Sequence, residues 1–170
     1  MAKTVTLHTL QIVTFSTTLS FAEVISRLDN QIGKETTRGI PVSVTRAVTS
    51  KEDLEAQVNN FVGPSGFGYF NEFNHGRWLQ LYSVSTQAVV YVVGNPLIAQ
   101  SMLQHDLHGA LNIPPRLLVL EKQDSAGTEV IYHLPSSVIA LNDDPKLKAA
   151  AEGLDSKLQA LVESITAVES

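Results

Sequence analysis

The segment Ala88-Val89-Val90-Tyr91-Val92-Val93-Gly94-Asn95-Pro96 decides the fold. An unbroken apolar run rich in β-branched residues reads as a strand in the middle of a sheet rather than at its edge. Gly94-Asn95-Pro96 ends it, because asparagine satisfies backbone groups at a turn and proline opens the helix that follows. Outward from this strand, Leu97 to Leu107 predicts a short helix with Ile98 and Met102 facing inward. Pro114-Pro115 then precedes a strand over Arg116 to Glu121, and a turn at Asp124-Ser125-Ala126-Gly127 leads into its partner, Thr128 to His133. On the other side, Trp78 to Val84 alternates as a half-buried strand does, joined to the central strand by a hairpin at Ser85-Thr86-Gln87.

The ends of the chain carry the helices. Val5 to Thr14 is β-branched and loosely alternating, which predicts a first strand. Ser20 and Glu23 stand at capping-box spacing, with Phe21, Val24, Ile25, Leu28 and Ile32 on one helical face and Gly33 at the stop. A second helix is predicted from Ser50 to Val62, closed by Gly63-Pro64. Between them, Thr36 to Arg46 reads as a loop with a short extended piece at Val42 to Val44. Gly63 to Gly76, glycine-rich and aromatic, reads as a loop or a bulged strand. It has neither the lysine ending of a phosphate-binding loop nor a dinucleotide fingerprint. After Asp144-Pro145 a long helix is predicted, its seam Leu147, Ala151, Leu154, Leu158, Leu161, Ile165 and Val168 at heptad spacing. Hairpin-linked strands with helices gathered at the chain ends argue for an α+β fold, a curved antiparallel β-sheet packed against helices, as one domain over residues 1–170.

Composition bounds the function. The 170 residues are 44% hydrophobic and 17% charged, which is globular and low in charge, so a partner chain is expected to cover part of the apolar surface. A net charge of −5 with no basic run argues against a nucleic-acid backbone as partner. Cysteine is absent, which excludes disulfides and thiolate chemistry. No window approaches the roughly 20 apolar residues of a membrane span, and no signal peptide is legible, so the expectation is a cytoplasmic protein.

Three motifs in order carry a resemblance: Val89 to Pro96, ending in Gly-Asn-Pro; Ile113-Pro114-Pro115 opening the strand to Glu121; and Tyr132-His133-Leu134-Pro135-Ser136. With Phe21-Ala22-Glu23-Val24 at the first helix, they resemble domain of unknown function family 302. The resemblance implies a compact α+β domain of TATA-binding-protein-like outline, and it implies a homodimer. It implies no activity. Gly66 to Trp78 and His105 to His108 resemble a longer, fungal-type version of that domain.

Gly94 to Ser136 holds three of the five histidines and four of the seven prolines. His105 and His108, three apart with Asp106 adjacent, either cap a helix end or, with His75 or His133, could ligate a metal; the helix-end reading is preferred, and no metal or cofactor is expected. His75 beside Arg77 and Trp78 suits either proton transfer or a turn. Two function classes follow. In the first, a small-molecule site has apolar walls from Phe67, Tyr69, Phe70, Phe73 and Trp78, with Asn95, His108 and Ser136 also touching the ligand. If the site is catalytic, cofactor-free acid/base chemistry of isomerase, cyclase or lyase type on an apolar carbonyl compound fits the residues. A histidine, His75 or His105 with Asp106 beside it, would then move the proton, and Tyr132 or Asn95 would steady an oxyanion; His75, His105, Asp106 and Tyr132 are the catalytic candidates. In the second class, the protein is a non-catalytic homodimeric interaction domain, and the C-terminal heptad serves either the dimer or the chain's own core.

Overall fold

The computed structural model describes residues 1–35, 48–123 and 126–168. The expected loop from Thr36 to Arg46, with its extended piece, lies wholly outside the described residues, as do Asp124 and Ser125 of the expected turn. The elements are β1 (Ile12–Thr17), α1 (Phe21–Gln31), α2 (Lys51–Phe61), β2 (Gly68–Asn74), α3 (His75–Leu79), β3 (Ala88–Gly94), α4 (Pro96–Leu103), β4 (Arg116–Glu121), β5 (Thr128–His133), α5 (Pro135–Ile139) and α6 (Pro145–Thr166), with 3-10 turns at Gln80–Tyr82 and Leu107–Asn112. The five strands form one antiparallel sheet in the order β1-β5-β4-β3-β2. The α+β class is therefore as expected, and β3 lies inside the sheet.

Local chemistry explains most boundaries. Ser20 accepts from the Glu23 amide at 3.2 Å and Ser50 from the Asp53 amide at 3.1 Å, so both helices start where the serines predict. The capping box is only half formed, because the Glu23 carboxylate turns to Arg27 at 2.8 Å. Asn95 caps α4, and Asp144 caps α6 through the Lys146 and Leu147 amides. One sheet face carries Val89, Tyr91, Val93, Leu117, Val119, Val130 and Tyr132, all buried in the main core beneath α1 and α6. The heptad positions of α6 from Leu147 to Ile165 are buried in that same core, so the seam packs within its own chain. Val168 lies beyond the helix and is exposed.

Two strand expectations fail. Trp78 to Val84 is not a strand: Asn74 caps α3 through the Arg77 amide at 2.8 Å, and the chain continues into a 3-10 turn. Alternation there found no neighbouring strand to pair with, since β2 occupies the edge of β3, and Leu81 and Tyr82 stay 84% and 74% exposed. The first strand begins at Ile12 rather than Val5. Among the described residues no strand lies beside residues 1–10, and Leu7 is 95% exposed, whereas Phe15 to Thr17 extend the strand by pairing with Val130 to Thr128. β-propensity without a pairing edge does not make a strand. The bulged-strand reading of the glycine-rich stretch holds, with the irregularity between Tyr69 and Asn71 in β2.

Candidate functional site

At the end of β3 the chain comes close to the turn before β4. Gly94 pairs with Gly68, and a Cβ on Gly94 would lie 3.0 Å from the Pro114 Cβ and 3.2 Å from a Phe70 ring carbon. Ile113-Pro114 is a cis peptide, and Pro114 and Pro115 lie on the same cavity as that glycine. Asn95 fixes the start of α4: its Oδ1 accepts from the Leu97 amide at 2.8 Å, and its Nδ2 donates to the Gly66 carbonyl at 2.9 Å. Between these parts lies a cavity of about 170 Å3 walled by Phe67, Phe70, Ile98, Ala99, Met102 and Pro114, with Leu154 of α6 at one side. Its one polar side chain, Asn95, directs its polar atoms at backbone groups. The cavity is therefore an apolar chamber.

The expected site residues are scattered over several places. Phe70 and Asn95 meet at this cavity. His75 opens α3, its ring edge-on to Trp78 at 6.1 Å, at the end of β3 opposite Gly94, and Phe73 sits on the outer sheet face, half exposed. Neither His75 nor His105 lines the cavity. His105 follows α4, with its Nδ1 3.6 Å from Asp144 Oδ2. Asp106 acts as a cap: its Oδ1 accepts from the His108 amide at 2.9 Å and stands 2.8 Å from His108 Nδ1, while its Oδ2 accepts from Asn142 at 2.8 Å. The His108 amide and ring, with Asn142, hold the Asp106 carboxyl below the usual carboxylate range. Tyr132 is buried, stacked on Phe15 at 6.5 Å, and burial together with Asp155 and Glu163 pushes its phenol up to about 12. Ser136 donates its backbone amide to Asp155 Oδ1 at 2.8 Å, which ties α5 to α6. Among the described residues no group of three or more His, Cys, Asp or Glu is placed to hold a metal.

Sequence reasoning missed a polar cluster under the inner face. Lys34 Nζ donates to Glu72 Oε2 at 2.7 Å, to Tyr91 Oη at 3.2 Å and to Asp29 Oδ2 at 3.3 Å, and it lies over the rings of Tyr91 and Tyr69 at 5.0 and 5.4 Å. Burial, partly offset by Tyr91 and Lys34, raises the Asp29 carboxyl. Burial and the two carboxylates push the Tyr91 phenol far up. Burial alone would lower Lys34, but Glu72 and Asp29 outweigh it and keep the ammonium charged. Such a lysine is a tether rather than a nucleophile. The signal was Tyr91 itself, a hydroxyl in an otherwise apolar strand; its partner Glu72 follows only from the register that sets the two opposite each other.

No curated protein matches the chain. A solved structure, that of an uncharacterized conserved DUF302 protein from Bacillus stearothermophilus, superposes with a TM-score of 0.63 over 91% of this chain and 97% of its own, at 20% identity, and so shares the fold. The family model for the domain of unknown function DUF302 matches residues 42–165, which takes in the Gly-Asn-Pro strand end, the Pro-Pro turn and the cavity between them; the chain belongs to this family.

Proposed function

We propose that the protein binds a small, largely apolar molecule in the chamber between the end of β3, α4 and the Ile113-Pro114 turn. The observation that carries this is the chamber's lining, apolar apart from an asparagine whose polar atoms serve the backbone. An engineered apolar cavity of about 150 Å3 takes benzene, so about one aromatic ring fits here. Pockets of this kind supply most of their affinity through burial and little through polar contacts. Cofactor-free acid/base chemistry on an apolar carbonyl compound is the catalytic form of the same proposal. Of the expected proton-handling residues, His105 is the one that follows the helix carrying Ile98, Ala99 and Met102, with Asp144 beside it, although its side chain does not line the chamber. The protein is further read as cytoplasmic and as a longer, fungal-type member of the family with TATA-binding-protein-like outline; what supports that outline is the five-stranded antiparallel sheet with helices packed on one face.

Binding is read from the methyl resonance of Met102, one of only two methionines in the chain. Titration with benzene or indole should shift it saturably, and Ala99→Leu, which fills the chamber from α4, should abolish the shift while the fold is retained. A Met102 resonance indifferent to both probes, or an unchanged response in Ala99→Leu, removes the binding proposal. His105→Ala should leave binding intact and remove any turnover.

A further inference from the structure

The sheet has a second face. The core-facing residues are covered by α1 and α6, but β3 is apolar on both sides, and a strand of that pattern belongs where both faces are buried. Strand register arranges the outer face in three rows. The first is Ile12, His133, Arg116, Val92 and Asn71. The second is Thr14, Ile131, Leu118, Val90 and Phe73. The third is Ser16, Glu129, Leu120 and Ala88. Ile12 is 60% and Phe73 50% exposed, and a shallow depression of about 300 Å3 lies over Ile12, Val90, Leu118 and Ile131. Monomeric proteins rarely leave an apolar patch of this extent open.

We propose that this face stacks on the same face of a second copy of the chain, with the strands of the two sheets antiparallel about a two-fold axis that crosses them at the middle row. The charges select the arrangement. Arg116 and His133 stand in the first row and Glu129 in the third, with an apolar row between them. An axis across the strands lays first row on third row strand for strand, so that His133 of each protomer lies over the partner's Glu129 with Arg116 one strand to its side, while Leu118 and Val90 meet their own row. An axis along β4 would instead set Arg116 against Arg116. Size agrees as well: five strands about 4.8 Å apart and three rows about 6.8 Å apart give roughly 500 Å2 in projection, before side-chain relief, against about 800 Å2 of accessible surface from each partner in a standard interface. A peptide would leave most of such a face uncovered. Aligned stacking of two sheets about 10 Å apart is a known packing. The ligand chamber lies on the helical side, so the stack is independent of the binding proposal.

Sedimentation equilibrium of the full chain tests the stack. The wild type should be a dimer. Leu118→Glu, at the centre of the apolar row, should be a monomer with an unchanged circular dichroism spectrum. Arg116→Glu and Glu129→Arg, both at the face's margin, should each raise the dissociation constant about tenfold or more, and the two together should restore dimerisation, as close charge pairs do in double-mutant cycles. A monomeric wild type, or a dimer indifferent to Leu118→Glu, overturns the use of this face. A double reversal no better than the singles overturns the proposed symmetry, and this arm stands even if Leu118→Glu fails to fold.

Discussion

Lys34→Met removes one charge from the cluster under the inner sheet face and keeps most of the aliphatic stem that lies over Tyr69 and Tyr91. What remains is Asp29 and Glu72 without the ammonium that bridges them at 3.3 and 2.7 Å. Exposed ion pairs contribute about 0–1 kcal/mol, whereas breaking a fully buried pair costs about 3–5 kcal/mol. The side chains here are 16% (Lys34), 24% (Asp29) and 33% (Glu72) exposed, so the loss falls between those limits. About 2 kcal/mol is expected, and with a urea slope of about 2 kcal/mol/M the unfolding midpoint should drop by about 1 M at pH 7. The charge origin shows in the pH dependence. The Lys34 pKa is raised in the fold, so its contribution is fully present below 10.5 and is lost as pH climbs through the folded value. The raised pKa of Asp29 means that its ionised form works against the fold; as acid neutralises it, starting above its ordinary 3.8, the gap between wild type and variant should narrow. Adding Asp29→Asn and Glu72→Gln to Lys34→Met should recover most of the loss, because removing all the charges leaves none unpaired. Three results would refute the reasoning: a midpoint shift under about 0.3 M, a gap constant from pH 4 to 10.5, or a triple variant as unstable as the single.

Other expectations are shorter. Leu158→Ala opens a cavity in the α6 seam where the side chain is fully buried, and should cost about 3 kcal/mol by urea unfolding. Gly153→Ala in the same helix meets no atom within 4 Å and should stabilise by about 0.5–1 kcal/mol; a loss would mean that the position is packed after all. Asp106→Asn tests the cap on the Leu107–Asn112 turn. The lowered Asp106 pKa gives stability present above 3.8 and lost as pH falls through the folded value, so melting of wild type and variant should converge in acid and separate toward neutrality. Gly127→Ala, at φ +118 with its Cβ directed into the Thr17 carbonyl, should lower the melting temperature, whereas an unchanged value would contradict that geometry.

Elements that carry their own start and stop signals were legible in the sequence. Ser20, Ser50, Asn95 and Asp144 each cap the helix they predict, and Arg116 to Glu121 and Thr128 to His133 form strands over those residues. The failures share one cause. Val5 to Leu10 and Trp78 to Val84 have strand chemistry, but a strand requires an edge, and which edges exist is a property of the whole sheet. Cross-strand facts were hidden for the same reason. Glu72 meets Tyr91, and Glu129 shares a face with Arg116, only once register is known.

The candidate site divides along a similar line. Histidine, aspartate and tyrosine attract attention because they can do chemistry, yet each of these side chains here has local work that explains it. Asp106 caps a turn, His105 stands by Asp144 at the start of α6, and Tyr132 stacks on Phe15. The chamber is made instead by residues that look purely structural: a glycine that lets Pro114 and Phe70 close in, an asparagine spent on backbone, and a helix face with alanine at its middle. Small residues at a strand end and a helix face remove side-chain volume where two walls approach, and the rigid prolines prevent those walls from collapsing inward. A space maintained in that way is stable only if the surrounding core is otherwise well filled, as the buried α6 seam is. Gly94-Asn95-Pro96, which ends the deciding strand, is for that reason both a folding signal and the mouth of the chamber, and Ala99→Leu separates the two roles by altering the space and leaving the turn intact.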